Sequence, residues 1–309
     1  MDPRPTTGEE AAVEFRHLEA LVAIADEGSF TAAADALNTV QSNVSGQIRQ
    51  LETEIGVPLL VRSRRGAALT EAGRAVVTRA RRIQRERDGI LADVAALQGL
   101  QIGEVSFGIV GTASRWLVPE LVASLRREAP GVRLRINEGT SERLVAEVLS
   151  NQLAQAIVTA PVLSDRLISE RLLDERLVGL VPEDSDLPSD TAVPLERMAR
   201  LPMVMPPANN PLRLEVQDAA ARAGVELQVP IEVEGVRLIG ELVGAGAGVS
   251  ILPETAIDPD TAGVRTVPVD GLPPRRLVLV TPQDAQLSFA DRAVRERVIE
   301  IVAARRPTT

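Results

Sequence analysis

Between Gln41 and Ile55, apolar side chains recur at steps of four, three and four residues, at Val44, Ile48, Leu51 and Ile55. That spacing places them on one face of an α-helix. The opposite face carries Ser42, Ser45 and Arg49, with Gln41 and Asn43 in the first turn. Just ahead, residues 29–37 (SFTAAADAL) read as a short alanine-rich helix, opened by Ser29 or Thr31 as a cap, and its small side chains let a second helix approach closely. Two short helices joined by a tight turn form a helix-turn-helix, in which glutamine and asparagine in the first turn pair with adenine edges. An ordinary amphipathic hairpin has the same spacing, so the pattern alone leaves both readings open.

The residues that follow add charge to the pattern. The segment VRSRRGAALT has the turn chemistry of a short wing and carries Arg62, Arg64 and Arg65. Residues 62–87 hold nine arginines against two glutamates in a chain whose formal net charge is −9. A positive stripe against an acidic background reads as a footprint for phosphates, the alternative being a solvated helix face. Thr70 and Glu71 then open a long helix, with the acid near the positive end of the helix dipole. Along it Val76, Ile83, Ile90 and Leu97 repeat every seven residues, interleaved with Ala80, Arg87 and Val94. This is a coiled-coil heptad interrupted only by Arg87, although a helix packed on its own domain is also compatible.

After about residues 98–104 the periodicity changes. Strand-like runs such as VSFGIV, VRLRINEG and LAQAIVTA alternate with amphipathic helices such as WLVPELVASLRREAP and SERLVAEVLSNQ. This is the pattern of βαβ units. A second set begins after residue 163 and includes the helices NPLRLEVQDAAARAG and VRLIGELVGAGA. The chain then returns through VRTVPV and RRLVLVTP to a last helix at 288–305. The pattern by itself gives an α/β class.

Composition narrows the chemistry. The 309 residues include no cysteine and a single histidine, His17, which excludes disulfides, thiolate nucleophiles and cysteine-bound metals. No convincing carboxylate pair appears, so the expectation is a protein that is not an enzyme and carries no cofactor or metal. Gly244, Gly246 and Gly248 resemble a dinucleotide loop but follow a helix and precede a strand, the reverse of what phosphate binding requires. Asp184 and Asp186 read as loop carboxylates, and Trp116 as a core anchor. The polar start and the absence of a long apolar run predict a cytoplasmic protein without membrane contact.

The stretch FRHLEALVAIADEGSFTAAADALNTVQSNVSGQIRQLETEIGVPLLVRSRRGAALTEAGR resembles the amino-terminal domain of LysR-type transcriptional regulators over about sixty residues. The distinctive parts are Gly28-Ser29-Phe30-Thr31, Gln41, Ser45, Gln47-Ile48, Leu51-Glu52, Gly56-Val57-Pro58-Leu59, Arg62 and Leu69-Thr70-Glu71-Ala72-Gly73. The resemblance implies an α+β multidomain chain: a disordered tail (1–14), a winged helix-turn-helix (15–69), a dimerisation helix (70–98), a hinge (99–103) and a two-lobed α/β effector domain like periplasmic binding proteins (104–309). Lobe I is expected at about 104–162 and 267–305, and lobe II at about 163–266. On DNA it implies bases near Gln41, Asn43 and Ser45, with Thr31, Arg49, Arg62, Arg64 and Arg65 on phosphates, and Ser42 is a further expected DNA contact. Val76, Ala80, Ile83, Ile90, Val94 and Leu97 are expected in the dimer seam. The implied partners are a double-stranded DNA operator, a small-molecule effector, one or three further copies of the chain, and RNA polymerase.

Three positions depart from the family pattern. Val40 stands where a serine is frequent, so Thr39 is expected to cap the recognition helix one residue earlier. Ser42 replaces a frequent proline. Gly46 replaces a long polar or basic side chain, at a cost of about 1 kcal/mol relative to alanine in a helix interior. Base preference is therefore expected to differ from the family's common one.

Two α/β lobes joined by crossing strands leave a cleft faced by strand ends and helix starts, and helix starts suit anions. The expected effector is accordingly a small anionic metabolite held by Thr112, Ser114, Thr140, Asn209 and Ser250, though any of these hydroxyls or amides could equally serve as a helix cap. Two other readings remain at this point. One is a regulator without effector response, and the other an α/β binding protein or enzyme with an accessory helical domain.

Overall fold

The periodic face of residues 41–55 becomes a helix whose Val44, Ile48 and Leu51 are buried. A computed structural model describes residues 13–63, 66–98 and 101–305. Residues 1–12 of the expected tail, Arg64 and Arg65 of the wing, and hinge residues 99 and 100 lie outside the described residues. The chain divides into two units: residues through Leu91 together with Ser150–Gln152, and Ala92–Leu149 with Leu153 onward.

The first unit opens with α1 (Phe15–Glu27), α2 (Phe30–Ala36) and α3 (Gln41–Ile55). Its core joins Leu18, Leu21 and Ile24 to Ala33 and Ala34 and to the inward face of α3. Ser29 caps α2, its hydroxyl accepting the Ala32 N–H at 3.1 Å. Asn38, at φ +52°, makes the tight turn, a conformation that asparagine tolerates better than most side chains. The expected cap on α3 is corrected. The N-cap position is Val40, which provides no side-chain bond, while the Thr39 hydroxyl accepts from Asn43 Nδ2 at 3.0 Å. Short strands β1 (Leu60–Ser63) and β2 (Gly66–Leu69) pair antiparallel as the wing. Glu52 anchors the wing to α3, one carboxylate oxygen accepting the Leu59 and Leu60 N–H groups at 2.7 and 3.2 Å. Helix α4 (Glu71–Leu97) follows, capped by Thr70, which accepts the Gly73 N–H at 2.9 Å.

The second unit contains two lobes. Its chain order is β3 (Ile102–Val110), α5 (Gly111–Glu128), β4 (Gly131–Gly139), α6 (Ser141–Leu149), β5 (Gln155–Thr159), β6 (Leu167–Glu175) and β7 (Leu177–Pro182). There follow β8 (Val193–Pro194), α7 (Leu195–Ala199), β9 (Val204–Met205), α8 (Pro211–Arg222), β10 (Ile231–Glu232) and α9 (Val236–Gly244). The chain finishes with β11 (Ser250–Pro253), β12 (Val264–Asp270), β13 (Arg275–Pro282) and α10 (Phe289–Arg305).

Lobe I is a five-stranded sheet in the order β4-β3-β5-β13-β6, with β3 parallel to β4 and β5, and β13 antiparallel to its neighbours. Phe107, Ile109, Leu117, Leu121 and Ile157 are among its fully buried side chains, and Trp116 packs in the same core. Lobe II has the sheet β11-β7-β12-β8 and the small parallel pair β10-β9, around a core that includes Leu180, Val216, Ile239 and Ile251.

The lobe boundaries differ from those expected. Strand β6 pairs with β13 and β12 pairs with β7, so the chain crosses between lobes at Arg176 and again at residues 271–274, not near residues 162 and 266. Alternating apolar residues mark a strand without saying which sheet it joins. The tempting glycines close α9: Gly244 is its last residue and Gly246, at φ +78°, turns the chain away from it, as a helix C-terminus commonly does.

Gly73 sets how closely α4 meets the wing. A Cβ there would lie 2.1 Å from the Leu59 carbonyl oxygen, a backbone atom that cannot swing aside. Gly73→Ala is expected to destabilise the first unit by about 1–3 kcal/mol. Circular dichroism during denaturant unfolding should show early loss of helix while fluorescence of Trp116, the only tryptophan, reports an unchanged second unit. Coincident wild-type-like transitions would refute the tight contact.

Candidate functional site

One candidate surface lies on α3. Gln41, Ser42, Asn43 and Arg49 are exposed and Ser45 is half-buried, on the side opposite the buried stripe. Thr31 is exposed at the start of α2. Several of these polar groups already have partners within the unit. Asn43 donates to Thr39, and Arg49 Nε donates back to the Ser45 carbonyl at 3.2 Å. The backbone of Arg62 lies in β1, while Arg64 and Arg65 lie outside the described residues.

Helix α4 divides the expected seam into two functions. Ala80 is fully buried and Val76 partly buried in the core of the first unit, beside Val77. These two positions are corrected from interchain to intrachain packing, because the first turns of α4 complete the small helical core. Farther along, Ile83, Ile90, Val94 and Leu97 are 46%, 64%, 49% and 88% exposed, which leaves an apolar stripe uncovered among the described residues. Arg87, the break in the heptad, pairs with Glu19 at 2.7 Å and lies over the Phe15 ring.

The second candidate site is a cleft of 490 Å³ within the second unit. The starts of four helices line it: Gly111 and Thr112 of α5, Thr140 and Ser141 at α6, Asn209 to Leu212 at α8, and Gly235 and Val236 at α9. Free N–H groups at a helix start carry partial positive charge. Asn210 caps α8, accepting the Leu212 N–H at 2.9 Å, and Thr140 reaches the Arg143 N–H at 3.4 Å. The N-cap positions of α5 and α9, Val110 and Gly235, provide no side-chain cap. Thr112 Oγ1 is buried without a hydrogen-bond partner among the described residues.

Of the five expected effector residues, Thr112, Thr140 and Asn209 line this cleft, whereas Ser114 and Ser250 are absent from its lining. The Ser114 hydroxyl is instead bonded to Glu138 at 2.6 Å and to the Gly111 carbonyl. Ser250 is fully buried and donates to the Met205 sulfur at 3.6 Å. Ser250 opens β11, which pairs with β7, and its side chain faces the core of lobe II.

The principal residue missed from sequence is Arg275, which lines the cleft with a side chain only 4% exposed. Its Nη2 donates to Thr159 Oγ1 at 2.8 Å, and two carboxylates lie at ion-pair distance: Glu175 at 3.6 Å and Glu215 at 3.3 Å. Nε and Nη1 have no hydrogen-bond acceptor among the described residues. Burial pushes the Glu175 carboxyl above its ordinary range, opposed by Arg275 and by the Thr255 hydroxyl. Burial likewise raises Glu215, with Arg275 opposing and Glu175 adding to the rise. A sequence signal was present, since Arg275 and Arg276 open an otherwise apolar strand, and in a strand one of two neighbours must point inward. Other charged groups on the lining are Arg143, paired with Glu147 at 2.7 Å, and the exposed Glu138 and Glu234.

Known proteins match both parts of the chain. Residues 15–74 match the model of the bacterial regulatory helix-turn-helix protein, lysR family, and residues 98–303 match the LysR substrate binding domain. The DNA-binding transcriptional dual regulator OxyR of Escherichia coli K12 is 30% identical over 269 residues, covering 86% of this chain and 88% of that protein. The activator CmpR of Synechocystis is 29% identical, covering 89% and 91%. Among solved structures, a full-length OxyR variant from Pseudomonas aeruginosa has a TM-score of 0.74 at 22% identity, covering 94% of this chain and 97% of that one. CbnR in complex with its target DNA has a TM-score of 0.62 at 23% identity, covering 94% and 99%. With a helix-turn-helix model and a substrate-binding model matched in tandem, the chain belongs to the LysR family of DNA-binding transcriptional regulators.

Proposed function

We propose that this regulator binds a dyad-symmetric operator as a homodimer or a higher homo-oligomer and changes its DNA-bound arrangement when a small organic anion enters the cleft of the second unit. The observation that carries the effector reading is the convergence of four helix starts and the buried Arg275 on one cavity. Two of those helices have no side-chain cap, and Thr112 offers an unpartnered hydroxyl beside them. These groups suit a carboxylate or phosphate. The acids on the lining, Glu138 and Glu234, are exposed to water and therefore screened.

Related sequences include proteins named hydrogen peroxide-inducible genes activators. A peroxide signal read by a protein thiol needs a cysteine, and these 309 residues contain none. Three of the four methionines, Met198, Met203 and Met205, are fully buried. Reversible ligand binding in the cleft is therefore the mode of response we assign.

On the DNA side, Gln41, Ser42, Asn43 and Ser45 take the base edges, while Thr31, Arg49, Arg62, Arg64 and Arg65 take phosphates. Ile83, Ile90, Val94 and Leu97 supply the seam against a second copy, because burying that stripe removes a contiguous apolar surface from water. RNA polymerase is the further partner expected of a regulator that activates.

Three measurements test these assignments. Capture of genomic fragments by the full chain should return a site with dyad symmetry. On that site, replacing both Arg64 and Arg65 by alanine should reduce the steepness of the salt dependence by about 0.9 for every phosphate that is no longer neutralised; an unchanged slope removes them from the DNA interface. In a thermal-shift screen of small organic acids and phosphates, Thr112→Val should remain folded and weaken binding of a hit about tenfold, the worth of a hydrogen bond to a charged group. Equal binding by the variant would move the effector elsewhere, and a cleft that takes no anion at all would favour an effector-independent regulator.

The third measurement concerns pH. A glutamate whose folded pKa is raised favours the fold while protonated, and that contribution is lost as pH rises through the raised value. Glu175→Gln keeps position 175 neutral at every pH. Relative to wild type, its Tm should therefore gain as pH climbs above about 4.3, and then level off. A Tm difference that stays flat across that range would mean that burial does not perturb Glu175.

A further inference from the structure

Gly46 is an interior residue of the exposed, polar face of α3, and nothing among the described residues explains it. Glycine is the least favourable helix-interior residue after proline, so such a position needs a compensating reason. The usual ones fail here. A Cβ at Gly46 would meet no atom of the described residues within 4 Å beyond its own stretch of helix, so none of them requires the space. Its φ is not among the positive values of this chain, so no left-handed turn requires it. It lies in the middle of the helix, away from both caps.

The long polar neighbours of Gly46 are engaged along the helix itself. Ser42, one turn earlier, is short. Arg49 is turned back to the Ser45 carbonyl, and Gln50 donates along the helix to Glu54 at 3.1 Å. What remains over Gly46 is a notch floored by helix backbone. The amide N–H groups within it are committed to the i to i−4 ladder, so the notch offers no donor to a phosphate or to a base edge. An apolar protrusion can enter it without leaving a polar group unpaired. In the major groove the one apolar group carried by a standard base is the 5-methyl of thymine.

We propose that Gly46 is a specificity-determining residue of the recognition helix, admitting a thymine methyl against the backbone of α3 at one position of each half-site. The inference rests on the assignment of α3 as the DNA-reading helix. The neighbouring side chains of Gln41, Ser42 and Ser45 read adjacent bases, and Gly46 sets how closely the helix axis approaches the groove floor.

The test uses the full chain and the site it selects from a random-sequence duplex pool. Gly46→Ala should raise the Tm of the free protein, because alanine is the better helix former and has room. It should lower affinity for the selected site about tenfold, and reselection with the variant should lose a thymine preference at one position per half-site. Scanning the wild-type site with deoxyuridine in place of each thymidine should locate the same position, with a loss of about fourfold for one methyl-sized apolar contact. The same substitution should cost the variant much less. The proposal is overturned if Gly46→Ala keeps wild-type affinity and preference, if no deoxyuridine weakens wild-type binding, or if the variant is less stable than wild type. Failure of the wild type to select any site would instead overturn the assignment of α3, and this inference with it.

Discussion

The buried contact between Arg275 and Glu175 is the constraint that ties the two strands at the lobe crossings to the cleft. The two residues are register partners on β13 and β6, at the points where the chain enters and leaves lobe I. Both side chains are almost completely withdrawn from water. A buried pair of this kind adds little net stability, because desolvation of both ions offsets their attraction. Its effect is positional, since separating the partners would strand a charge in low dielectric. Glu215 extends the constraint from the hinge strands to α8 of lobe II, and Arg115 of α5 pairs with Asp258 across the two lobes. The lobes are thus related in part by directional charge contacts, beside the packing of α5 on residues 254–256, and such contacts define discrete arrangements more sharply than interchangeable apolar packing does.

That geometry gives an entering anion leverage. Arg275 presents donors that lack hydrogen-bond acceptors, while sharing its charge with two acids that burial makes reluctant to ionise. An anion placed there competes directly with Glu215, the acid contributed by the opposite lobe, while drawing on helix starts from both lobes. Its affinity therefore depends on how the lobes are arranged, which is the condition for a ligand to shift a conformational equilibrium. A ligand bound wholly within one lobe would be held equally in every arrangement and would shift nothing.

The helical half of this description was legible in sequence because its signals are local. Val44, Ile48 and Leu51 betray a buried face by spacing alone, and the density of family residues around Gln41 and Gly56–Leu59 leaves little room for another fold. Thr112, Thr140 and Asn209 were legible for a related reason: each stands at the junction of a strand with a helix, where α/β clefts form. Ser250 satisfied the same rule and was misplaced, because its direction depends on β11 pairing with β7, a contact distant in sequence. Arg275 and its acids come from β13, β6 and α8, and no periodicity joins three residues so far apart. Val76 and Ala80 fit the heptad as well as Ile90 does, and only the packing of α4 against the first unit's core separates them. The lobe crossings were missed on the same ground, since strand partners are a tertiary property.

The departures from good local design fall where partners must come. An interior glycine sits on the exposed face of α3, α5 and α9 start without side-chain caps, Arg275 holds donors without acceptors, and the later turns of α4 expose large aliphatic side chains. Each of these is unfavourable for the isolated chain, and none is fully relieved by a neighbour among the described residues. A sequence that caps α2 with Ser29, α4 with Thr70 and α8 with Asn210 is able to satisfy such rules, so the exceptions are informative. Local inconsistency without internal compensation is where an outside partner can supply the missing contact, and the partners proposed above match the chemistry of each gap: a second helix for the apolar surface on α4, an anion for the backbone donors and guanidinium in the cleft, and a methyl group in the DNA groove for the bare backbone on α3.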